Sequence, residues 1–150
     1  MDCTLSSEQQ SVFDACTKTD KHVVCHGRGG TGKSFLANQI IDWLKGSQSR
    51  ESKQAVIVRE YKQDMCQRLP RMLDEVDPRR RGEVDTIIIN GVYDVQSSFF
   101  DELSDSLRRS FSRDKVFGGL RIIVLGDLTG VDFCNLDVDA LQFELAQRYY

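Results

Sequence analysis

The stretch of the chain that decides its fold is Gly27-Arg28-Gly29-Gly30-Thr31-Gly32-Lys33-Ser34. It fits the phosphate-loop pattern, in which a glycine, four further residues, a second glycine and a lysine precede a serine or threonine. Residues of these types at these offsets arise by chance about once in 200 chains of this length. The stretch therefore predicts a loop that holds the phosphates of ATP or a related nucleotide.

The residue types of this loop suit phosphate chemistry. Glycines let consecutive backbone N–H groups point inward, and the positive end of the following helix attracts anions. Lys33 would reach the β- and γ-phosphates, and the hydroxyl of Ser34 would take one position on Mg²⁺. An ordinary glycine-rich turn with an exposed lysine is the alternative. We expect nucleotide contacts at Gly27, Gly29, Gly30, Thr31, Gly32, Lys33 and Ser34.

The sequence on either side supplies the strand and the helix that this loop requires. Residues 23–25 are apolar and lead into the loop, and residues 35–44 are apolar at helical spacing. Upstream, residues 6–16 predict a helix that begins with a capping box of Ser6 and Gln9. The loop is therefore predicted to join a buried strand to a helix.

Further along the chain, predicted strands and helices alternate. Short apolar runs predict strands over residues 55–58, 86–89 and 120–125. Periodic apolar positions predict helices over residues 61–73 and 99–111. Strands separated by helices indicate a parallel sheet covered on both faces. The expected fold is a three-layer α/β P-loop domain of the RecA-like type, with a mainly parallel central sheet.

The length of 150 residues and the short connections predict one domain over residues 1–150. Residues 136–150 fit a helix or a strand equally well. The polar start of the chain does not resemble a secretory signal, and no apolar run is long enough to cross a bilayer. We therefore expect no membrane partner.

The cysteines and the charge of the chain limit its function further. The five cysteines are odd in number and include no Cys-x-x-Cys pair, which disfavours a disulfide framework and a zinc site. We expect reduced thiols and an intracellular, reducing compartment. With two histidines in the chain, a histidine-rich metal site is not expected either. The net charge of −3 gives no general attraction for nucleic acid.

Beyond the loop, the chain resembles the first RecA-like domain of the petite-integration-frequency (Pif) family of superfamily 1 DNA helicases. Leu5-Ser6-Ser7-Glu8-Gln9 is similar to the family's opening motif, whose glutamine reads the adenine base, and Gln9 is the matching residue. The later segments that resemble the family are Phe99-Phe100-Asp101-Glu102-Leu103, Phe117-Gly118-Gly119-Leu120, Val124-Leu125-Gly126-Asp127 and Phe143-Glu144. The resemblance implies ATP or ADP with Mg²⁺, and Ser34 and Asp127 as the metal-binding residues.

The chain departs from the family's pattern at the groups that perform hydrolysis. After its third strand the family has Asp-Glu, one carboxylate for Mg²⁺ and one to activate water, and this chain has Asn90-Gly91. The family's γ-phosphate-sensing glutamine is replaced by Gly130, and its DNA-gripping motif by Val58-Arg59-Glu60-Tyr61-Lys62. The chain also ends before any second RecA-like domain. The resemblance therefore assigns no catalytic residue.

Other charged residues lie near these positions in the sequence. Asp85 precedes the predicted third strand and Asp94 lies beyond its end, so we expect neither to replace the missing pair. The basic run Arg79-Arg80-Arg81 fits a solvated loop, with phosphate contact as the alternative.

The first hypothesis is a nucleotide-binding helicase-like domain that is deficient in hydrolysis and acts as a structural or regulatory subunit. It implies a protein partner and weak binding of single-stranded DNA. The alternative is an active ATP-dependent DNA helicase or ATPase fragment, completed by a second domain or a partner. A third possibility is a scaffold whose loop binds no nucleotide.

Overall fold

The computed structural model describes residues 5–27, 32–46, 54–59, 84–92, 99–111, 114–128 and 140–145. Within these ranges one parallel sheet contains five strands: β1 (His22–Gly27), β2 (Gln54–Arg59), β3 (Val84–Val92), β4 (Arg121–Gly126) and β5 (Ala140–Leu145). The order across the sheet is β2-β3-β4-β1-β5, so the strand that leads into the loop pairs with β4 on one side and β5 on the other.

Three helices lie in the described part of the chain: α1 (Ser7–Lys18), α2 (Lys33–Gly46) and α3 (Phe99–Phe111). The start of α1 is fixed by the predicted capping box. The backbone N–H of Gln9 donates to Oγ of Ser6 at 3.2 Å, and the N–H of Ser6 donates to Oε1 of Gln9 at 2.9 Å. A tight turn, Val116–Gly119, leads into β4.

The helices cover both faces of the sheet because successive strand residues point to opposite sides. On one face, Val23, Ile88 and Ile123 pack with the apolar sides of α1 and α2. On the other face, neighbouring residues of the same strands pack with α3 and with Phe117 of the tight turn. The result is three layers, with the parallel sheet buried between helices on both faces, which confirms the predicted α/β fold.

Most predicted elements lie close to the observed ones, with two differences. β3 was predicted to end at Ile89, but it continues through Asn90 and Gly91 to Val92 because its end still pairs with β4. The ambiguous tail contains β5, an edge strand beside β1. The predicted helix over residues 61–73 and the run Arg79-Arg80-Arg81 lie outside the described residues.

Two cysteines in the described ranges, Cys16 and Cys25, are buried and free. Burial raises the pKa of both thiols to about 12, so neither forms a thiolate at neutral pH. None of the described helices is long and apolar enough to span a bilayer.

Candidate nucleotide-binding site

The site lies where the carboxyl ends of β1, β3 and β4 meet. His26 in β1 is paired with Gly126 in β4, and Asn90 in β3 is paired with Leu125. In open parallel sheets, ligands bind beyond the carboxyl ends of the strands, where loops and helix starts converge. The phosphate loop begins at this edge, because Gly27 is the last residue of β1.

The structure describes both ends of the phosphate loop. Gly27 is buried in β1, and at the other end Gly32 has φ +80 and accepts the N–H of Leu36 at 3.1 Å. Its carbonyl therefore begins the hydrogen bonding of α2, and the positive end of this helix faces the loop. The predicted contacts Gly29, Gly30 and Thr31 lie outside the described residues. Their contact with phosphate stays a prediction.

Lys33 is a buried cation at the start of α2. Its relative exposure is 7%, and desolvation lowers the pKa of its ammonium group, while the Asp127 carboxylate and Cys25 oppose that shift. A buried ammonium gains more from an incoming anion than an exposed one, because water screens the attraction less. The position and the environment of Lys33 suit contact with a phosphate group. Ser34, the predicted Mg²⁺ contact, is exposed in the first turn of the same helix.

Gln9 lies against the loop. It is 6% exposed, and a Cβ built on Gly32 would come within 2.5 Å of Nε2 of Gln9. The side-chain oxygen of Gln9 serves the capping box of α1, while its amide nitrogen faces the loop. The structure thus brings this predicted residue to the site, and its reading of an adenine base stays a prediction.

Asp127 and His26 lie together beside the loop. Asp127 directly follows β4, and its Oδ1 is 3.8 Å from Nδ1 of His26. The N–H of Leu128 donates to the same Nδ1 at 2.8 Å. Because Nδ1 of His26 accepts a hydrogen bond from the backbone N–H of Leu128, it carries no proton that it could donate to the carboxylate. The 3.8 Å between Nδ1 and Oδ1 of Asp127 is therefore a contact rather than a hydrogen bond. Asp127 is near enough to Lys33 for its carboxylate to oppose the lowering of the lysine pKa that desolvation causes.

The end of β3 provides no carboxylate to this site. Asn90 and Gly91 are both partly exposed, and the pairing register of β3 with β4 shifts between Asn90 and Val92. Gly91 has φ +82, a left-handed conformation that residues with a Cβ rarely adopt. The strand therefore ends in a bulge rather than in a regular extended segment.

Asp85 is at the wrong end of β3 to replace the missing carboxylates, as expected. It is the second residue of the strand and lines a cleft of about 430 Å³ at the amino ends of the strands, together with His22, Lys115 and Arg121. Asp94 lies outside the described residues. Within the described ranges, no group of three or more His, Cys, Asp or Glu side chains is placed to bind a metal.

The sequence pattern did not indicate a role for His26 at the site. The histidine precedes the loop directly, but its partner Leu128 is 102 residues further along the chain. The one available signal was its place at the end of the strand that precedes the loop. Placing Asp127 beside it required the β1–β4 pairing, which a single sequence does not specify.

Solved structures of Pif1 helicases are similar to this chain in fold. The Pif1 helicase from Candida albicans has a TM-score of 0.61 at 15% identity, over 94% of this chain and 40% of that one. The Pif1 helicase from Bacteroides in complex with ADP-AlF3 and ssDNA has a TM-score of 0.64 at 16% identity, over 99% of this chain and 43% of that one. No protein-family model and no curated protein matches the sequence.

These comparisons confirm the RecA-like α/β fold that the resemblance implied. The chain spans less than half the length of either helicase, with shares of 40% and 43%.

Proposed function

We propose that this chain is a nucleotide-binding, helicase-like domain that binds ATP or ADP with Mg²⁺ at residues 27–34 and is deficient in hydrolysis. The observation that carries the proposal is the buried Lys33, which stands at the start of α2 where the phosphate loop ends. Gln9 against Gly32, and Asp127 near Lys33, are placed around the same point. Phosphate affinity in such loops comes mainly from backbone donors and the lysine.

Hydrolysis needs groups that are absent from the described end of β3. A general base contributes about 10²–10⁴ in rate, and neither Asn90 nor Gly91 provides one. The sequence also has Gly130 at the position where the resemblance to the Pif family implies a sensing glutamine. A domain that binds nucleotide without turnover would act as a structural or regulatory subunit through a protein partner, and the proposed compartment is intracellular.

The test is calorimetry of MgADP and MgATP with the parent protein and two matched lysine variants. We expect Lys33→Ala to weaken binding by about tenfold or more, because the variant loses a charge-assisted phosphate contact. Lys45→Ala removes an exposed lysine from the last turn of the same helix and should bind as the parent does. Binding that is unchanged in Lys33→Ala, or absent from the parent at millimolar nucleotide, would contradict the proposal.

The alternative function is an active ATPase or helicase fragment that a second domain completes. The observation in its favour is coverage, since the chain matches 43% of a helicase solved with ADP-AlF3 and ssDNA. A hydrolysis assay of this chain, alone and with candidate partner proteins, separates the two functions. Turnover near 1 s⁻¹ on addition of a partner would support the alternative.

Binding of single-stranded DNA is proposed to be weak. The net charge of −3 offers little attraction, and the strand-end motif departs from the DNA-gripping pattern. Fluorescence anisotropy with a labelled oligonucleotide should show binding that disappears at about 150 mM salt. A submicromolar affinity at that salt concentration would show that a basic surface has been overlooked.

A further inference from the structure

Two histidines of β1 each accept, at a ring nitrogen, a backbone hydrogen bond from β4 or from the residues just after it. Nδ1 of His22 accepts the N–H of Ile122 at 3.0 Å, and Nδ1 of His26 accepts the N–H of Leu128 at 2.8 Å. The two side chains are four residues apart and therefore lie on the same face of the sheet. An imidazole nitrogen that accepts a hydrogen bond is unprotonated, so each neutral ring has its proton on Nε2.

The two bonds have different positions relative to the strand pairing. Ile122 belongs to β4 itself, where the ladder between β1 and β4 already holds the chain. Leu128 lies two residues beyond Gly126, the last residue of β4. The bond to His26 therefore extends the connection between the two strands past their last paired residues. It therefore holds the segment of Asp127 and Leu128 that follows β4.

We propose that His26 is a positioning residue of the nucleotide site: by accepting the N–H of Leu128, it fixes the two residues that follow β4 and directs the carboxylate of Asp127 toward the bound magnesium nucleotide. The inference rests on the proposed function of residues 27–34. Three observations support it. His26 immediately precedes Gly27, its ring is 3.8 Å from Asp127, and the Asp127 carboxylate acts electrostatically on Lys33.

His22 provides the matched control for this role. It makes the same kind of bond on the same strand, but about 13 Å from His26 at 3.3 Å per residue. Its ring packs edge-on against Phe117, with 5.2 Å between centroids, and lines the cleft at the opposite edge of the sheet. If such a bond only stabilises the fold, removing it at His22 should lower the Tm. If it also contributes to nucleotide binding, removing it should lower the MgADP affinity at His26 alone.

The experiment compares His26→Ala, His26→Asn and His22→Ala. Asparagine keeps an acceptor oxygen near the position of Nδ1, whereas alanine leaves the N–H of Leu128 without its acceptor. MgADP affinity is measured by calorimetry, with and without EDTA, and amide hydrogen exchange is followed at Leu128 and Ile122. Thermal unfolding of each variant, with circular dichroism, shows that the protein compared is folded.

We expect His26→Ala to lose about tenfold in MgADP affinity, the effect of removing a residue that orients a metal ligand. Its affinity for ADP in EDTA should change much less, and exchange at Leu128 should accelerate. His26→Asn should return to within about threefold of the parent. His22→Ala should lower the Tm and accelerate exchange at Ile122 while MgADP affinity stays unchanged.

Three results would overturn the positioning role. The first is that His26→Ala binds MgADP like the parent although exchange at Leu128 accelerates. The second is that His26→Asn recovers none of the MgADP affinity, and the third is that His22→Ala loses as much affinity as His26→Ala. A failure of the proposed function looks different. In that case the parent itself binds no MgADP and Lys33→Ala changes nothing, so both inferences fall together.

Discussion

The carboxyl ends of β1 and β3 lie on one edge of the same sheet, but their local structures differ. β1 ends in a glycine-rich loop followed by a helix start with a buried lysine. β3 ends in a bulge at Gly91, with an amide at Asn90 and no carboxylate. Among the described residues, the first end has a helix start and a cation that suit a phosphate group, and the second has no carboxylate that could activate water.

Under the proposed function, nucleotide binding and hydrolysis depend on separate parts of the fold. Binding would use backbone donors, a helix start and Lys33, all of which follow β1. Hydrolysis would need carboxylates at the end of β3 and charge stabilisation at the transition state. A chain can therefore keep the first end and change the second without losing its sheet, since the apolar residues of both strands remain in the core.

The largest expected difference is the gap between helicase rates and the hydrolysis rate of a variant with carboxylates at both Asn90 and Gly91. We expect the double variant Asn90→Asp, Gly91→Glu to remain far below helicase rates, because support of the transition-state charge is worth about 10³–10⁵ and is still missing. Gly91→Glu also places a side chain at φ +82, which costs about 1–2 kcal/mol. Phosphate release is the measurement, and the parent is the control. A rate near 1 s⁻¹ would reveal a catalytic group elsewhere in the chain.

A second test perturbs the β1 side through the backbone of its loop. Gly32→Ala adds a Cβ at φ +80, within 2.5 Å of Nε2 of Gln9, so we expect a loss of about 1–3 kcal/mol in stability and weaker nucleotide binding. Urea unfolding and calorimetry measure the two effects. Gly46→Ala, at the end of the same helix with nothing within 4 Å of its new Cβ, should be nearly neutral.

The clash with Gln9 can be separated from the backbone strain by a double variant. If Gln9 is the obstacle, Gly32→Ala should cost less in a Gln9→Ala background than in the parent. Equal costs in both backgrounds would assign the whole effect to the positive φ of Gly32. Either result separates the packing of Gln9 against the β1 loop from the backbone strain at Gly32.

The sequence predicts those features of the fold and of the site that depend on residues close together in the chain. The loop pattern, the capping box at Ser6 and the apolar stripe of α3 are determined within a few residues, and the structure has the corresponding helices in place. The bulge at Gly91 depends on pairing with β4. β5 was ambiguous because it is a short edge strand with mixed exposure along its length. The contact of His26 with Leu128 joins residues far apart in sequence, so no local pattern indicated it.

A smaller effect is expected from restoring the metal ligand alone. Asn90→Asp avoids the strained position and returns a hard oxygen ligand to the end of β3. We expect MgADP affinity to increase by about threefold, with no gain for ADP in EDTA. Titrations at several Mg²⁺ concentrations measure the difference, and Asp85→Asn, at the other end of the strand, should leave the magnesium dependence unchanged. A gain of equal size in EDTA would show that the new carboxylate acts without the metal.

The smallest expected effect is on the pH dependence of stability at the amino end of β1, where His22 lies far from the proposed nucleotide site. Desolvation, and then the charge of Arg121, lower the pKa of His22 below its ordinary value of 6.5. Asp20, Asp85 and Lys115 line the same cleft, but desolvation remains the main cause. In the unfolded chain the imidazole takes up a proton as the pH falls through about 6.5, while in the folded protein it stays neutral to lower pH.

The stability of the protein should therefore decrease as the pH falls below about 6.5, through the interval between the unfolded and the folded pKa of His22. His22→Asn keeps an acceptor for the N–H of Ile122 but has no proton to gain, so it should lose this part of the pH dependence. Urea unfolding at pH 7.5 and 5.5 measures the effect in both proteins. A parent and a variant with the same pH dependence would show that acid acts elsewhere, and His22 would then hold β4 only through packing and its hydrogen bond.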